Sequence, residues 1–446
     1  MSQHATREQL GLFELIAMGV GGMIGGGIFS VLGLAVGISG HAAPLAFAIG
    51  SLIAFAAGYS YVRLALAYRS DGASFTYLER AFPHQPNVAG LAGWTVVVGY
   101  IGTLALYAFT FGAYGADLLG EPHSAPLRMA MSVAVLAFFM LINLRGTRVA
   151  GKAEDFVVYA KILLLAVFAV AGFATVREDH LVPVIDRGVS SVFIAGALIF
   201  VAYEGFQLIT NAVCESRDPD RDIPRGIYGS IVITSLIYIT LALVGVGNLT
   251  VAELIASEEY ALAAAAQPVL GEAGTVLVAL AALLATSSAI NATSFGAARM
   301  MAEMATNARM PRAFSFRLGN DVPWVAVVVL TMLAVAFTLV GGLEVIAAFS
   351  SLTFLLVSIG VSVANLRLRA DTGSRLGLVL LGLGLMSVTV ALLLAHLWLS
   401  SRGTLAWIAC VYAGVVASEL VFSERSLLKR RRRTPPGGGP HADRTR

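Results

Sequence analysis

The sequence predicts an all-α integral membrane protein. Twelve transmembrane helices form a 5+5 inverted repeat, with helices 1 and 6 broken, and two extra helices follow. Three observations carry this. The 446-residue chain is 57% hydrophobic and only 13% charged, where a soluble protein carries about 25% charge. Apolar windows of the length needed to cross a bilayer recur throughout. Two of those windows are interrupted at their midpoints.

The windows lie at 12–38, 42–67, 89–118, 126–143, 155–175, 190–213, 226–248, 272–300, 323–341, 343–366, 375–399 and 404–422. Residues 1–10 form a short N-terminal segment. Spans 1–5 form the first repeat (11–176), spans 6–10 the second (190–370), and spans 11 and 12 an addition (375–422). Residues 423–446, "SERSLLKRRRRTPPGGGPHADRTR", read as a basic, disordered tail. The polar N-terminus runs straight into a full-length span with no cleavage-type site, so no signal peptide is expected. Cys214 and Cys410 lie far apart without metal-type spacing and read as reduced, structural residues.

Orientation follows from basic residues. With both termini on one side, the segments on that side hold 24 of the 30 Lys and Arg, and the opposite segments hold four: Arg128, Arg177, Arg187 and Arg402. Arg63 and Lys161 fall within spans. This is a strong positive-inside signal, placing both termini in the cytoplasm and the protein in the cytoplasmic membrane. The outer loop after span 7, with Glu253, Glu258 and Glu259, reads as a solvated acidic surface.

Span 1 contains "GVGGMIGGGIFS", six glycines in the twelve residues 19–30. Each glycine costs a helix interior roughly 1 kcal/mol relative to alanine. A phosphate loop would need a Gly-Lys-Ser/Thr ending, which is missing after Gly27. A dinucleotide fingerprint fails because Ile24 holds the last glycine position. Close packing through small residues four apart fits Gly21 with Gly25 and Gly22 with Gly26. It does not account for three consecutive glycines. The remaining reading is a discontinuous helix, whose freed N–H and C=O groups are tolerated only beside a cavity. The second half-helix then offers N–H groups and a dipole suited to a carboxylate, and the first half offers carbonyls suited to an ammonium.

A second interrupted span is expected at the equivalent place in a repeated half. Span 6 supplies it: "IFVAYEGFQLITNAVCESRDPDRDIPRGI", residues 199–227, places Glu204 and Gly205 in the middle of an apolar segment. Because five is odd, the second unit enters from the opposite side. That inverts the repeat.

Several stretches carry a resemblance. "GVGGMIGGGIF", "AYEGFQLITNAVCESRDPDRDIPRGI", "SSAINATSFGAARMMAEMATNARMPRAF" (287–314) and "NLRGTRVAGKAEDFVVYAKILLL" occur in the expected order over roughly residues 10–370. Together they resemble spans 1, 6 and 8 and the approach to span 5 of the amino acid–polyamine–organocation superfamily, which has the leucine-transporter-type fold. The chain departs from that pattern after span 2. "RSDGASFTYL" has Gly72-Ala73 where members often carry a glycine pair, and no proline, which bears on the inner gating loop and not on the fold. Glu204 is also not a fixed feature of the family.

The resemblance implies a secondary transporter that moves L-amino acids across the cytoplasmic membrane by proton-coupled alternating access. A substrate carboxylate would meet the backbone N–H groups of Gly25, Gly26 and Gly27. Its amino group would meet carbonyls of Met23, Ile24, Ala202 and Tyr203. Tyr107, Phe200, Glu204, Phe206 and Asn291 are candidate pocket-wall residues, with core packing or helix joining as the alternative for each. Proton-coupled members place a lysine where sodium-coupled relatives bind an ion, and Lys161 occupies that place. An ammonium near the span 1 carbonyls would replace the sodium and exchange protons during the cycle. A snorkelling lysine is the alternative, as is a sodium site served by Ser287 and Ser288 if Lys161 lay elsewhere. Serines in membrane helices also bond their own backbone.

Glu204 needs a partner or a proton: a cationic substrate, a titrating role, or hydrogen bonds from freed N–H groups. Arg63, near the inner end of span 2, reads as an interfacial anchor. "ESRDPDRDIPR" mixes four acidic and three basic residues, suiting either a salt-bridged gate or a solvated loop. Intramembrane catalysis finds no support: Gly-x-Ser-x-Gly, His-Glu-x-x-His and paired intramembrane aspartates are all missing. The expected partners are an amino acid substrate and membrane lipid, with no nucleic acid, for a monomer or a dimer. No metal or other cofactor is expected beyond a proton as coupling ion. Polyamine or amine substrates, exchange, sodium coupling, and a channel or sensor on the same scaffold stay open.

Overall fold

A computed structural model describes residues 10–433, except 71, 147–150, 308 and 320–321. Among the described residues the chain is helical, with a single isolated bridge between Leu10 and Ser216 in place of any sheet. Apolar helices appear at all twelve windows. Span 1 is two half-helices, Leu12–Met23 and Gly27–Ser39. Spans 2 to 5 are Ala43–Ala67, Pro86–Leu118, Ala125–Leu144 and Gly151–Phe173. Span 6 begins as Val189–Leu198, continues as 3₁₀ turns Ile199–Gln207 and ends as Leu208–Asn211. Spans 7 to 10 are Pro219–Asn248, the long run Ala261–Thr306, Trp324–Val340 and Leu343–Arg367. Leu376–Ser400 and Arg402–Arg433 are spans 11 and 12.

Local chemistry sets several boundaries. Proline fills the first turn of spans 2, 4 and 7 (Pro44, Pro126, Pro219), where its missing N–H has no helical partner to lose. The run Ala261–Thr306 is two helices, because Gly271 has φ 66° and ψ −156°, a conformation open essentially to glycine alone. Its first piece lies in the outer connection, so span 8 proper starts after Gly271, as its apolar window suggests. The last helix does not stop near residue 422. It continues through the basic run to Arg433, so the disorder expected from 423 does not begin before that point. Leu, Lys and Arg are good helix formers, which suits a helix through this run. Residues 434–446 and 1–9 lie outside the described residues.

The outer connection after span 7 is also more ordered than its acidity suggests. Thr250 and Glu253 form a capping box on Val251–Ala256. Glu259 is 6% exposed and pairs with Arg128, at the start of span 4, across 2.7 Å. A counter-charge brought from another helix buries Glu259, whereas Glu253 stays exposed as the sequence suggests.

Packing follows the repeat. Span 3 packs on span 10 as span 8 packs on span 5, and span 1 packs on span 7 as span 6 packs on span 2. Each pair is the other's counterpart under a shift of five spans. The two unwound segments meet at the centre. A Cβ on Gly205 would lie 2.3 Å from both the carbonyl carbon of Gly22 and the N of Met23, so the backbones touch. Gly205→Ala must push the two segments apart. Overpacking of this kind costs about 1–3 kcal/mol, so the variant should unfold at a lower temperature in detergent. Gly296→Ala, whose Cβ meets nothing within 4 Å, should leave the unfolding temperature unchanged.

Candidate functional site

The break in span 1 covers Ile24–Gly26, where Ile24 leaves helical geometry at φ −81° and ψ 62°. The second half-helix starts at Gly27, capped by Gly26. Its first N–H groups, including those of Gly26 and Gly27, have no acceptor within the helix. The predicted carboxylate position is therefore a real helix start. None of Gly25, Gly26 and Gly27 has a positive φ. What each needs is space. A Cβ on Gly25 would lie 2.8 Å from Ala289 and Tyr107, one on Gly26 2.7 Å from Tyr107, and one on Gly27 2.6 Å from the Ala202 Cβ. Packing, set aside on sequence grounds, thus accounts for the third glycine as well as the pairs.

The freed carbonyls are bonded by side chains from neighbouring spans. Lys161 is fully buried, and its Nζ donates to the Gly21 carbonyl at 3.0 Å and the Ile24 carbonyl at 2.6 Å. That geometry overturns the snorkelling alternative: the ammonium points inward to the break, because carbonyl acceptors there replace the water it would otherwise seek. The Tyr238 hydroxyl of span 7 donates to the Met23 carbonyl at 2.6 Å and lies 3.2 Å from the Ala202 carbonyl. The Tyr107 hydroxyl donates to the Gly22 carbonyl at 3.3 Å. Three of the four residues predicted to offer carbonyls to an amino group, Met23, Ile24 and Ala202, therefore already face a donor of the protein. The fourth, Tyr203, sends its hydroxyl to the Phe47 carbonyl at 2.8 Å.

Span 6 is repaired in the same way. Ser351 of span 10 donates its hydroxyl to the Leu198 carbonyl and accepts the Val201 N–H at 2.9 Å. Sequence reasoning missed Tyr238 and Ser351. A tyrosine or serine in a span carries no signal of its own, and only the contact with a break identifies it. Glu204 is buried, and its Oε1 accepts from Thr103 of span 3 at 3.3 Å. Thr103 also donates to the Gly99 carbonyl at 3.2 Å, so one hydroxyl hydrogen serves two acceptors. The bond comes from a side chain and not from the freed N–H groups of the break.

A cavity of about 770 Å³ opens below the breaks. Gly21, Gly22, Tyr100 and Ser288 line its inner end, and Glu303 and Arg317 its outer reach. It runs toward the end of the molecule that carries both termini. Tyr107, Phe200, Glu204, Phe206 and Asn291 are not among its lining residues. Phe200 and Phe206 are fully buried core, with Phe206 edge-on to Tyr61. Asn291 turns away and accepts from Asn143 of span 4 at 3.2 Å, joining two helices. Tyr107 seals the glycines instead of lining the cavity. Ser288 lines it, yet its hydroxyl donates to the Ala285 carbonyl of its own helix at 3.1 Å.

In the connections after spans 2, 6 and 8, Arg69 pairs with Asp220 and Arg309 with Glu79, both at 2.8 Å. The mixed-charge segment after span 6 contributes one of these pairs. With 47% and 71% of its side chains exposed, it is largely solvated and worth little in itself. On the opposite side, Val251–Ala256 and Glu258–Tyr260 pack on the second half of span 1, and Tyr114 donates to the Phe29 carbonyl at 2.7 Å. The breaks are covered there.

Twelve spans, two of them unwound against each other at the head of a one-sided cavity, define a multi-pass membrane transport protein. Residues 10–418 match the amino acid permease family, and the chain belongs to that family, within the amino acid–polyamine–organocation superfamily of transporters; it is not an enzyme. It is 32% identical to the inner membrane transport protein YbaT of Escherichia coli K12, over 90% of this chain and 93% of the relative. An uncharacterized protein of Methanocaldococcus jannaschii is 30% identical over 95% of this chain and 97% of its own length. The branched-chain amino acid permease BcaP of Bacillus subtilis is 24% identical over 70% of each chain.

Tyr238→Phe removes the donor that links the two breaks. An acceptor left unbonded in a buried site costs about 1–3 kcal/mol. The variant should melt at a lower temperature in detergent, whereas Tyr159→Phe, on an exposed ring, should not.

Proposed function

We propose that the protein moves L-amino acids across the cytoplasmic membrane by proton-coupled alternating access, with both termini in the cytoplasm. The observation that carries the reading is the Lys161 ammonium seated on the Gly21 and Ile24 carbonyls. It is a side-chain cation at the unwound segment, able to exchange a proton and thereby to change how firmly spans 1 and 5 are joined. The helix start at Gly27 supplies N–H groups for a substrate carboxylate. A substrate amino group would compete with Tyr238 for the Met23 and Ala202 carbonyls. Backbone recognition of both charged ends suits α-amino acids as a class, and the name of BcaP points the same way. The cavity on the side of the termini, with the outer cover in place, corresponds to a cytoplasm-facing state. No metal or organic cofactor enters this cycle; the coupling ion is the proton.

Purified protein in liposomes should accumulate labelled amino acids when an inward proton gradient is imposed, with no requirement for sodium. Accumulation against a gradient separates a transporter from a channel. Lys161→Gln keeps hydrogen-bonding capacity but cannot exchange a proton, and should cut proton-driven accumulation at least about tenfold, the effect of a loss near 1.4 kcal/mol. Sodium-dependent uptake that survives this substitution would overturn the coupling model.

A further inference from the structure

We infer that the lipid-facing stripe Leu52, Phe55, Tyr59 and Arg63 of span 2 is a binding site for a phospholipid with an anionic headgroup. The site is separate from the transport path, and the inference does not depend on the substrate or its coupling. Phe55, Tyr59 and Arg63 are four residues apart, so they stack along one helix face, ending in a guanidinium at the membrane boundary. Leu52, one turn further in, is 57% exposed. Span 7 flanks the stripe on one side, where Gly58 meets Ile227, Ile231 and Tyr228. Span 11 flanks it on the other, where Gly382 lies against Ala56. Both helices pack on span 2, leaving the stripe as the floor of a groove between them.

Charge identifies the occupant. Among the described residues Arg63 has no carboxylate within ion-pair distance; its Nη2 donates to the Gly373 carbonyl, and its Nε is buried without a partner. An arginine inside a span normally pairs with an acid or faces water. Two tyrosines share its stripe: Tyr59, one turn away on the same helix face, accepts the Arg375 N–H at 2.9 Å, and Tyr228 stacks on Phe55 with ring centroids 6.0 Å apart. A phosphodiester fits these donors, since a charged guanidinium N–H bonds a phosphate oxygen strongly, while an acyl chain would lie along Phe55 and Leu52. Gly373 has φ 60°, a conformation that favours glycine, and a Cβ there would fall 3.0 Å from the guanidinium. The loop between spans 10 and 11 therefore holds Nη2, and Nη1 is the guanidinium nitrogen left for the lipid.

The test is binding by native mass spectrometry, with a thermal shift in detergent as a second readout. The full chain is titrated with phosphatidylglycerol or with phosphatidylcholine of the same acyl chains. Wild-type protein should bind phosphatidylglycerol at least about fivefold more tightly, the equivalent of roughly 1 kcal/mol for one basic group at a membrane surface. Arg63→Gln should erase that preference, and Arg402→Gln, at the opposite end of the molecule, should keep it. If Arg63→Gln fails to fold, the Tyr59→Phe/Tyr228→Phe variant decides, because it keeps both rings and should lower the preference at least about twofold, a few tenths of a kcal/mol. Equal binding of the two lipids by wild type overturns the site. So does an unchanged preference in Arg63→Gln, or in the double variant where that one is needed, and so does equal stabilisation by inorganic phosphate.

Discussion

An unbonded peptide group cannot be left in hydrocarbon, and the centre of this molecule is organised by that constraint. Two helices are unwound at the same depth, which frees N–H and C=O groups where no water from the bilayer can reach them. Freed carbonyls are met from four different spans: by Lys161 from span 5, Tyr107 from span 3, Tyr238 from span 7 and Ser351 from span 10. Such a group costs about 1–3 kcal/mol when buried without a partner. The breaks therefore bind four otherwise independent helices to themselves. Spans 1 and 6 are at once the weakest helices and the ones that organise their neighbours.

The glycines serve this arrangement through size more than through torsional freedom. Gly25, Gly26 and Gly27 all keep negative-φ geometry or its equivalent and would be allowed as alanine by backbone angle alone. Their neighbours forbid it. Tyr107 closes on two of them and Ala202 on the third, while Gly205 sits directly on the Gly22 carbonyl group. Close approach is what lets the Tyr238 hydroxyl reach carbonyls of both breaks. Backbone proximity and hydrogen-bond repair are thus one feature, and enlarging any of these residues would disturb both.

Much of the fold was legible in the sequence because the bilayer imposes a strict length and polarity on each span, and the positions of Gly25–Gly27 and Glu204 flagged both interruptions. Lys161 was legible for the same reason: an ion in an apolar window is conspicuous. The candidate walls were less so. Phe200, Phe206 and Asn291 sit in apolar surroundings where lining a cavity, packing a core and joining two helices all permit the same residue types. Only rotation about the helix axis separates those roles, and a window of apolar residues without a polar face does not record rotation. Tyr238 and Ser351 were illegible because their importance comes from what they touch across the molecule. Glu259 of the acidic outer loop was misread for a related reason, since it pairs with Arg128 from a span far away in sequence.

Lys161 joins the constraint on the fold to the proposed coupling. Its Nζ bonds the carbonyls of Gly21 in the first half-helix and Ile24 in the break, so it clamps the turn itself. A charged donor bonds a carbonyl roughly twice as strongly as a neutral one. If the proton leaves, an amine can still donate, but the clamp weakens and the Ile24 and Gly21 carbonyls look for other donors. A substrate amino group arriving beside Met23 would be such a donor, and so would the water of the adjacent cavity. Loss of the proton would then be felt first as freedom of the first half-helix, whose Gly21 and Gly22 line the cavity. Under the proposed coupling, one of the residues that make the unwound span tolerable in a membrane is, by the same bonds, also the one that would release it.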